Sequence, residues 1–206
     1  MKDVLRLYGT PLEITRPLIC LDEKSVQLLE NSRPDLPLRP GYPRRRDYEY
    51  IRRGTCNIFM LSAPKLGQRH TLVTQRRTKL DFAKVMRYLV DVLYPEAVCI
   101  DLVLDQLNTH HAVTLIEIFG KVEADRILSR VCFHYTPLHA SWLNIAEIEL
   151  HALTAQCLNR RIASDWTLFS EMMAWEARRN HAAVPIQWSF DWKRAKRLFV
   201  KHVVLP

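Results

Sequence analysis

The chain has no long hydrophobic run: nothing in it approaches the ~18 consecutive apolar positions that a membrane span requires. The opening Met-Lys-Asp-Val-Leu-Arg-Leu meets Pro11 and Glu13 before an apolar stretch can develop, so it is not expected to act as a secretory signal. No two cysteines stand close together. Cys20, Cys56, Cys99, Cys132 and Cys157 are separated by 36, 43, 33 and 25 residues, which leaves no zinc knuckle or redox pair and makes free thiols, acting as small hydrophobes, the expectation. Internal repeats, low-complexity tracts and regular strand–helix alternation are also missing, which argues against a solenoid or an all-parallel sheet. Within 206 residues these absences predict an intracellular, cytoplasmic protein with one main core and no membrane partner.

Acidic residues are the minority charge. Lys and Arg number 30 against 22 Asp and Glu, a formal net charge of +8. The basic residues fall in short clusters: Arg44–Arg46, Arg52-Arg53, Arg76-Arg77 with Lys79, Arg160-Arg161, Arg178-Arg179, and Lys193-Arg194 with Lys196-Arg197. Any one cluster reads most simply as solvated surface, but together they suit a polyanionic partner, DNA or RNA.

Periodicity predicts a mixed α/β chain. An apolar strand over 17–22 ends on Asp22, and four prolines and one glycine make 31–47 an irregular loop. Strands near 56–63 and 69–76 flank a tight Pro64–Gly67 turn. A helix capped by Thr78 and closed by Pro95 follows, then a strand over 97–105 ending on Asp105. A helix at 112–119, a strand at 130–135, helices at 142–158 and 166–182, a strand at 186–190 and a basic helix at 191–198 complete the expectation.

Three segments carry candidate chemistry: CLDEKS around Asp22, LVLDQLNTHHA around Asp105, and HYTPLHASWLNIAEIEL around Glu147. Carboxylates at strand ends and a helix start can meet at one sheet edge, where two hard divalent cations on a phosphate would need oxygen ligands. Each acid has a simpler reading, Asp22 and Asp105 as turn residues and Glu147 as a first-turn acid favoured by the helix dipole. Glu147 and Glu149 lie about 200° apart on a helix, so only one can face a site. Glu147 shares a polar face with Asn144 and His151, whereas Glu149 falls among apolar residues and needs some other partner. Lys24, Gln106, Asn108, His110 and Asn144 are supporting or DNA-contacting candidates. For His110 and the adjacent His111, loop hydrogen bonding competes with metal ligation, and for Asn144 an N-cap role competes with orienting Glu147. The five tryptophans suit core packing better than base stacking.

Read together, CLDEKSVQLL (Cys20–Leu29), DYEYIRRGTCNIFM (Asp47–Met60), RRTKLDFA (Arg76–Ala83), LVLDQLNTH (Leu102–His110), HYTPLHASWLNIAEIEL (His134–Leu150) and QCLNRRI (Gln156–Ile162) resemble the DDE catalytic domain of bacterial insertion-sequence transposases of the mariner superfamily. The similarity implies a ribonuclease-H-like α/β fold, a mixed five-stranded sheet flanked by helices. It implies two Mg²⁺ or Mn²⁺ ions held by Asp22, Asp105 and Glu147, the last lying three residues after the Asn of SWLN. It also implies DNA as substrate, both transposon ends and target. Strands would be cut by hydrolysis and joined through the freed 3′-hydroxyl, by a homodimer associated with the nucleoid. Gln106 stands where the family usually has Asn. Relatives usually carry a helix-turn-helix region before this domain, for which the chain leaves no room. The expected organisation is thus one catalytic domain over 1–206, with a core at about 17–182 and a basic extension at about 183–206. End recognition would come from a helix-turn-helix protein encoded in an upstream frame. Two rival readings are a stand-alone nuclease of the same fold and a catalytically inactive DNA-binding or dimerisation remnant.

Overall fold

Alternation along the first strand sets the arrangement. In β1 (Leu18–Asn31) Leu18 and Cys20 point into one hydrophobic cluster, while Ile19 and Leu21 point into another on the opposite sheet face. The structure, a computed structural model, describes residues 1–199; the last seven residues of the expected basic extension lie outside it. β1 is the central strand of a five-stranded sheet. β2 (Tyr50–Ala63) pairs antiparallel with it and β3 (Gln68–Thr74) antiparallel with β2; on the other side β4 (Ile100–Leu104) pairs parallel with β1 and β5 (Val131–Tyr135) parallel with β4. The order β3-β2-β1-β4-β5 is the mixed sheet expected.

Helices cover both faces. α2 (Lys79–Tyr88), α3 (Ala112–Phe119) and α4 (Lys121–Leu128) bury Phe82, Met86, Leu115 and Ile127 against Ile19 and Leu21. Thr78 starts α2 with a reciprocal capping box to Asp81. On the other face α1 (Lys2–Gly9), α5 (Ile145–Leu153), α6 (Asp165–Ala182) and α7 (Trp192–Phe199) contribute Val4, Leu150, Trp175 and Ala195 to the second cluster. Among the described residues no helix is long and apolar enough to cross a membrane.

Four expectations need correction. β1 and β2 run far past the apolar segments that announced them, to Asn31 and back to Tyr50. Their outer halves form a two-stranded ribbon with half-exposed side chains, so pairing rather than an apolar run defines them. α1 and α4 were not anticipated; each is short, and Gly120 at φ +76° separates α4 from α3. The region 142–158 is broken by Asn144, which caps α5. No strand forms at 186–190: Ile186 donates one backbone bond to Pro64, and Trp188 and Phe190 pack as side chains on the core.

The chain is fastened by two ionic networks. Asp101 of β4 takes two bonds of 2.8 Å from Arg16, and His134 of β5 bridges Asp101 and Asp3 of α1 at 3.1 and 2.6 Å. Asp101, Cys132 and His134 are the one trio of potential metal ligands among the described residues whose donor atoms lie within 4.8 Å of one another. Arg16 already neutralises that carboxylate and both ring nitrogens of His134 are engaged, so the cluster reads as a closed ion-pair network. The second network is buried. Glu149 of α5 meets Arg69 of β3 at 2.7 Å, both side chains 1% exposed, and Arg179 of α6 at 3.2 Å. Removing one partner of such a pair strands the other charge in the core, at a cost of ~3–5 kcal/mol. Glu149→Gln is therefore expected to lower stability by about that amount in urea denaturation, and a variant as stable as wild type would contradict the role given to this lock.

Candidate active site

Parallel pairing between β1 and β4 stops at Cys20 and Val103, two residues before Asp22 and two before Asp105. β1 continues, held by β2 with Asp22 opposite Met60, whereas β4 ends at Leu104 and the chain turns away. The expectation that Asp22 closes its strand is therefore corrected: it is the pairing with β4 that ends there, and the two strands fork. Both aspartates stand in the fork, at the carboxyl end of β4, where open α/β sheets form their clefts.

α5 brings the third acid. Asn144 donates from Nδ2 to the carbonyl of Leu21 at 2.7 Å, and its Oδ1 accepts from the amide of Ala146 at 3.2 Å. It is an N-cap and also the tie between the helix start and the residue preceding Asp22. Glu147, in the first turn, is thereby set beside Asp22, close enough that its charge acts on that carboxyl. Glu149 points inward to its arginines, so the partner it needed is Arg69.

Each aspartate has one oxygen secured and one left over. Asp22 Oδ1 accepts from the amide of Glu23 at 2.8 Å. Asp105 Oδ1 accepts from the amide of Leu107 at 3.1 Å and faces His110 Nδ1 at 2.6 Å. Among the described residues nothing donates to Oδ2 of either, or to the Glu147 carboxylate. Burial, then the charges of Glu23, Glu147 and Asp105, push the Asp22 carboxyl up to about 7, against the bond from Glu23 that favours its ionised form. Asp105 is shifted the opposite way, below the usual carboxylate range, chiefly by its bond to His110. Burial alone would depress His110, but its bonds to Asp105 and Glu23 outweigh that and raise the imidazole to about 9. Free oxygens from three acids, one of them hard to ionise where it stands, are a donor set suited to a hard divalent cation.

The supporting candidates divide. His110 lies fully buried between Asp105 and Glu23, with Tyr135 donating to its carbonyl at 2.8 Å. Both ring nitrogens are used, so it is placed to hold Asp105 rather than to ligate. His111 sits exposed at the start of α3. Gln106 turns away from the acids and donates to the carbonyl of Thr136 at 3.1 Å, while Asn108 is exposed. Lys24 lies two residues along β1 from Asp22, on the same face, and has no ion-pair partner among the described residues. Two further residues take a place at the site that the sequence pattern did not give them. Glu23 points to the opposite face from Asp22, as strand alternation requires, and there meets His110 at 2.6 Å. Arg77, exposed and lacking an ion-pair partner among the described residues, lies near enough for its charge to lower Asp105. Of the tryptophans, Trp175 is buried and bonds Gln156, while Trp166 is 73% exposed.

A family model described as DDE superfamily endonuclease matches residues 17–168. The chain belongs to this family. Asp22, Asp105 and Glu147 all lie inside the matched span. No curated protein matches the chain. Among solved structures it is similar to Mos1 transposase in a pre-cleavage transpososome (TM-score 0.58, 13% identity, covering 97% of this chain and 59% of that one). The Mos1 Strand Transfer Complex (0.55, 13%, 100% and 61%) and a Mos1 mariner paired end complex with Mn (0.52, 14%, 88% and 56%) are similar too. At such identity the likeness is one of fold, and that fold is ribonuclease-H-like. The chain spans about three-fifths of the length of those transposases.

The raised Asp22 carboxyl has a consequence for stability. Its folded-state value lies above the ordinary one near ~3.9, so its contribution to stability is present below that pH and is lost as pH rises to about 7. Asp22→Asn keeps the acceptor for the Glu23 amide and removes the charge. In EDTA it is expected to unfold at a higher temperature than wild type at pH 8, by on the order of 1–2 kcal/mol, and to match wild type at pH 4. A variant less stable than wild type at pH 8 would show that Asp22 is not electrostatically strained.

Proposed function

We propose that this chain is the catalytic domain of a transposase, which cuts DNA strands and joins the freed 3′-end to target DNA with Asp22, Asp105 and Glu147 as its metal-binding acids. What supports this reading is Asp22 and Asp105 at the β1–β4 fork, each with one carboxylate oxygen bonded and no donor to the other among the described residues, with Glu147 near enough for its charge to act on Asp22. Two Mg²⁺ or Mn²⁺ ions about 3.5–4 Å apart would supply activation of the attacking oxygen and stabilisation of the leaving one.

The chain's own residues position the rest. Asn144 holds Glu147 against β1, and His110 holds Asp105. Arg76, Arg77 and Lys24 offer cations to the phosphates on either side of the acids. In cutting, a water oxygen bonds to phosphorus as the P–O3′ bond breaks and the 3′-oxygen leaves with a proton. In joining, the oxygen of that 3′-hydroxyl bonds to a target phosphorus as the target P–O3′ bond breaks, and the proton it gives up is balanced by the one the departing 3′-oxygen takes up. The Mos1 structures are complexes of a transposase with transposon ends, which supports DNA as the substrate. In this reading the domain occupies the whole chain and comes from a bacterial insertion sequence. It acts as a homodimer near the nucleoid, with end recognition by a helix-turn-helix segment encoded upstream.

Asp105→Asn and Glu147→Gln are each expected to lower Mn²⁺-dependent nicking at least roughly 100-fold while circular dichroism stays unchanged, because metal stabilisation of the transition state contributes several kcal/mol. Near-wild-type nicking by either variant sinks the assignment. Supplying a labelled 3′-hydroxyl end separates the rivals: joined product supports the transposase, hydrolysis alone a nuclease, and DNA binding without either an inactive remnant.

Binding should be driven by charge. For about six phosphate contacts, log affinity is expected to fall against log salt with a slope of about −5, and Arg76→Ala with Arg77→Ala to flatten it by about 2. A slope unaffected by that double change removes these arginines from the DNA track.

A further inference from the structure

The two residues of the Asp22-Glu23 pair point to opposite faces of β1, and the second has no place in the reading above. Glu23 is 4% exposed at its side chain and its Oε1 lies 2.6 Å from His110 Nε2. The other ring nitrogen of His110 lies 2.6 Å from Asp105 Oδ1. A carboxylate anchored on the central strand, an imidazole with no exposed surface and the Asp105 carboxylate thus stand in one line across the fork.

Resting on the metal-site reading just given, we propose that Glu23 acts through His110 as a positioning residue for Asp105, locking Oδ1 inward so that Oδ2 alone is presented to a divalent cation. Asp105 needs such a support. It follows the last residue of β4, lies outside the sheet ladder, and its side chain is 41% exposed. A carboxylate at a loop start has several rotamers open to it, and unsupported it would present either oxygen. His110 removes that freedom because it is itself immobilised at every side. Its carbonyl accepts from Tyr135 at 2.8 Å, its amide donates to Leu107 at 2.8 Å, and its ring packs on Phe82 with centroids 4.9 Å apart. Glu23 fixes the far nitrogen and with it the ring's orientation. Outer partners of this kind govern metal affinity without touching the metal.

The test is direct Mn²⁺ binding to the whole chain, followed by the electron paramagnetic resonance of the free ion, which needs no activity. Glu23→Ala and His110→Ala are each expected to weaken Mn²⁺ binding roughly 10- to 100-fold, and the double variant to bind no more weakly than the worse single one. Glu23→Gln, whose amide oxygen still accepts from Nε2, should bind close to wild type. Should Glu23→Ala not fold, His110→Ala and Glu23→Gln carry the same comparison. Wild-type affinity in Glu23→Ala or in His110→Ala overturns the strut. So do additive losses in the double variant. Glu23→Gln as weak as Glu23→Ala overturns it as well, because charge rather than position would then explain the effect. A wild-type protein that binds no Mn²⁺ overturns the metal-site reading itself, and the strut with it.

Discussion

Everything at the proposed site depends on where one strand pairing ends. β1 and β4 share only the stretch Leu18–Cys20 against Asp101–Val103, yet β1 is held along its other edge by β2 from Cys20 to Asn31. One strand therefore runs straight on while its neighbour peels off. The gap cannot be filled by backbone bonding, and polar groups facing it must find other partners or remain open to a ligand. Asp22 and Asp105 occupy the two lips, and Asn144 pins the start of α5 across the gap through the carbonyl of Leu21. Had β4 run two residues further in register, Asp105 would have stood beside Asp22 within the sheet and the cleft would not exist.

That geometry concentrates acid in a protein whose net charge is positive. Asp22, Glu23, Asp105 and Glu147 crowd the fork, and the cations near them are few: buried His110, and Arg77 at the rim. Much of the excess positive charge is committed elsewhere. Arg16 serves Asp101, Arg126 serves Asp91 and Glu123, Arg130 gathers the carbonyls of Val90, Tyr94, Pro95 and Ala97, and Arg161 those of Asp47, Tyr48 and Glu49. Total charge thus overstates what a polyanion meets. Arg77, which has no ion-pair partner among the described residues, is the exposed cation whose charge reaches Asp105, and its value lies in that location.

Apolar periodicity made the five strands and the main helices legible, along with Thr78 as a cap and the three acids as the residues to watch. Each of those features is local: an alternation, a helical stripe, a carboxylate at the end of an apolar run. What escaped was set by pairing across distance. The outer ribbon of β1 and β2 carries a weak apolar signature, with Leu28 buried but the facing residues of β2 exposed, so its strands are defined by their pairing. Glu23 looked like a neighbour of Asp22, and only its partner 87 residues away gives it meaning. A strict reading of strand alternation would have placed it on the opposite face from Asp22, though not found His110 there. At 186–190 the expected strand does not form, because side chains alone face the core and no sheet edge receives the backbone.

The two glutamates of α5 show how one constraint sets another. A helix turns about 100° per residue, so fixing the direction of any one side chain fixes them all. Glu149 is fixed strongly, by Arg69 from β3 and Arg179 from α6 inside the core. Rotating α5 enough to move Glu147 out of the fork would drag Glu149 off both arginines and strand two buried charges, those of Glu149 and Arg69, a cost larger than the loss of any single hydrogen bond. Asn144 sets where the helix begins, and the Glu149 lock sets how it is turned about its axis. Between them the aim of Glu147 is determined without a bond to its own carboxylate, which leaves that group free to bind. The buried ion pair is thus explained less by the stability it adds than by the orientation it imposes: one carboxylate locks one face of the helix, and the other is the one proposed to hold a metal.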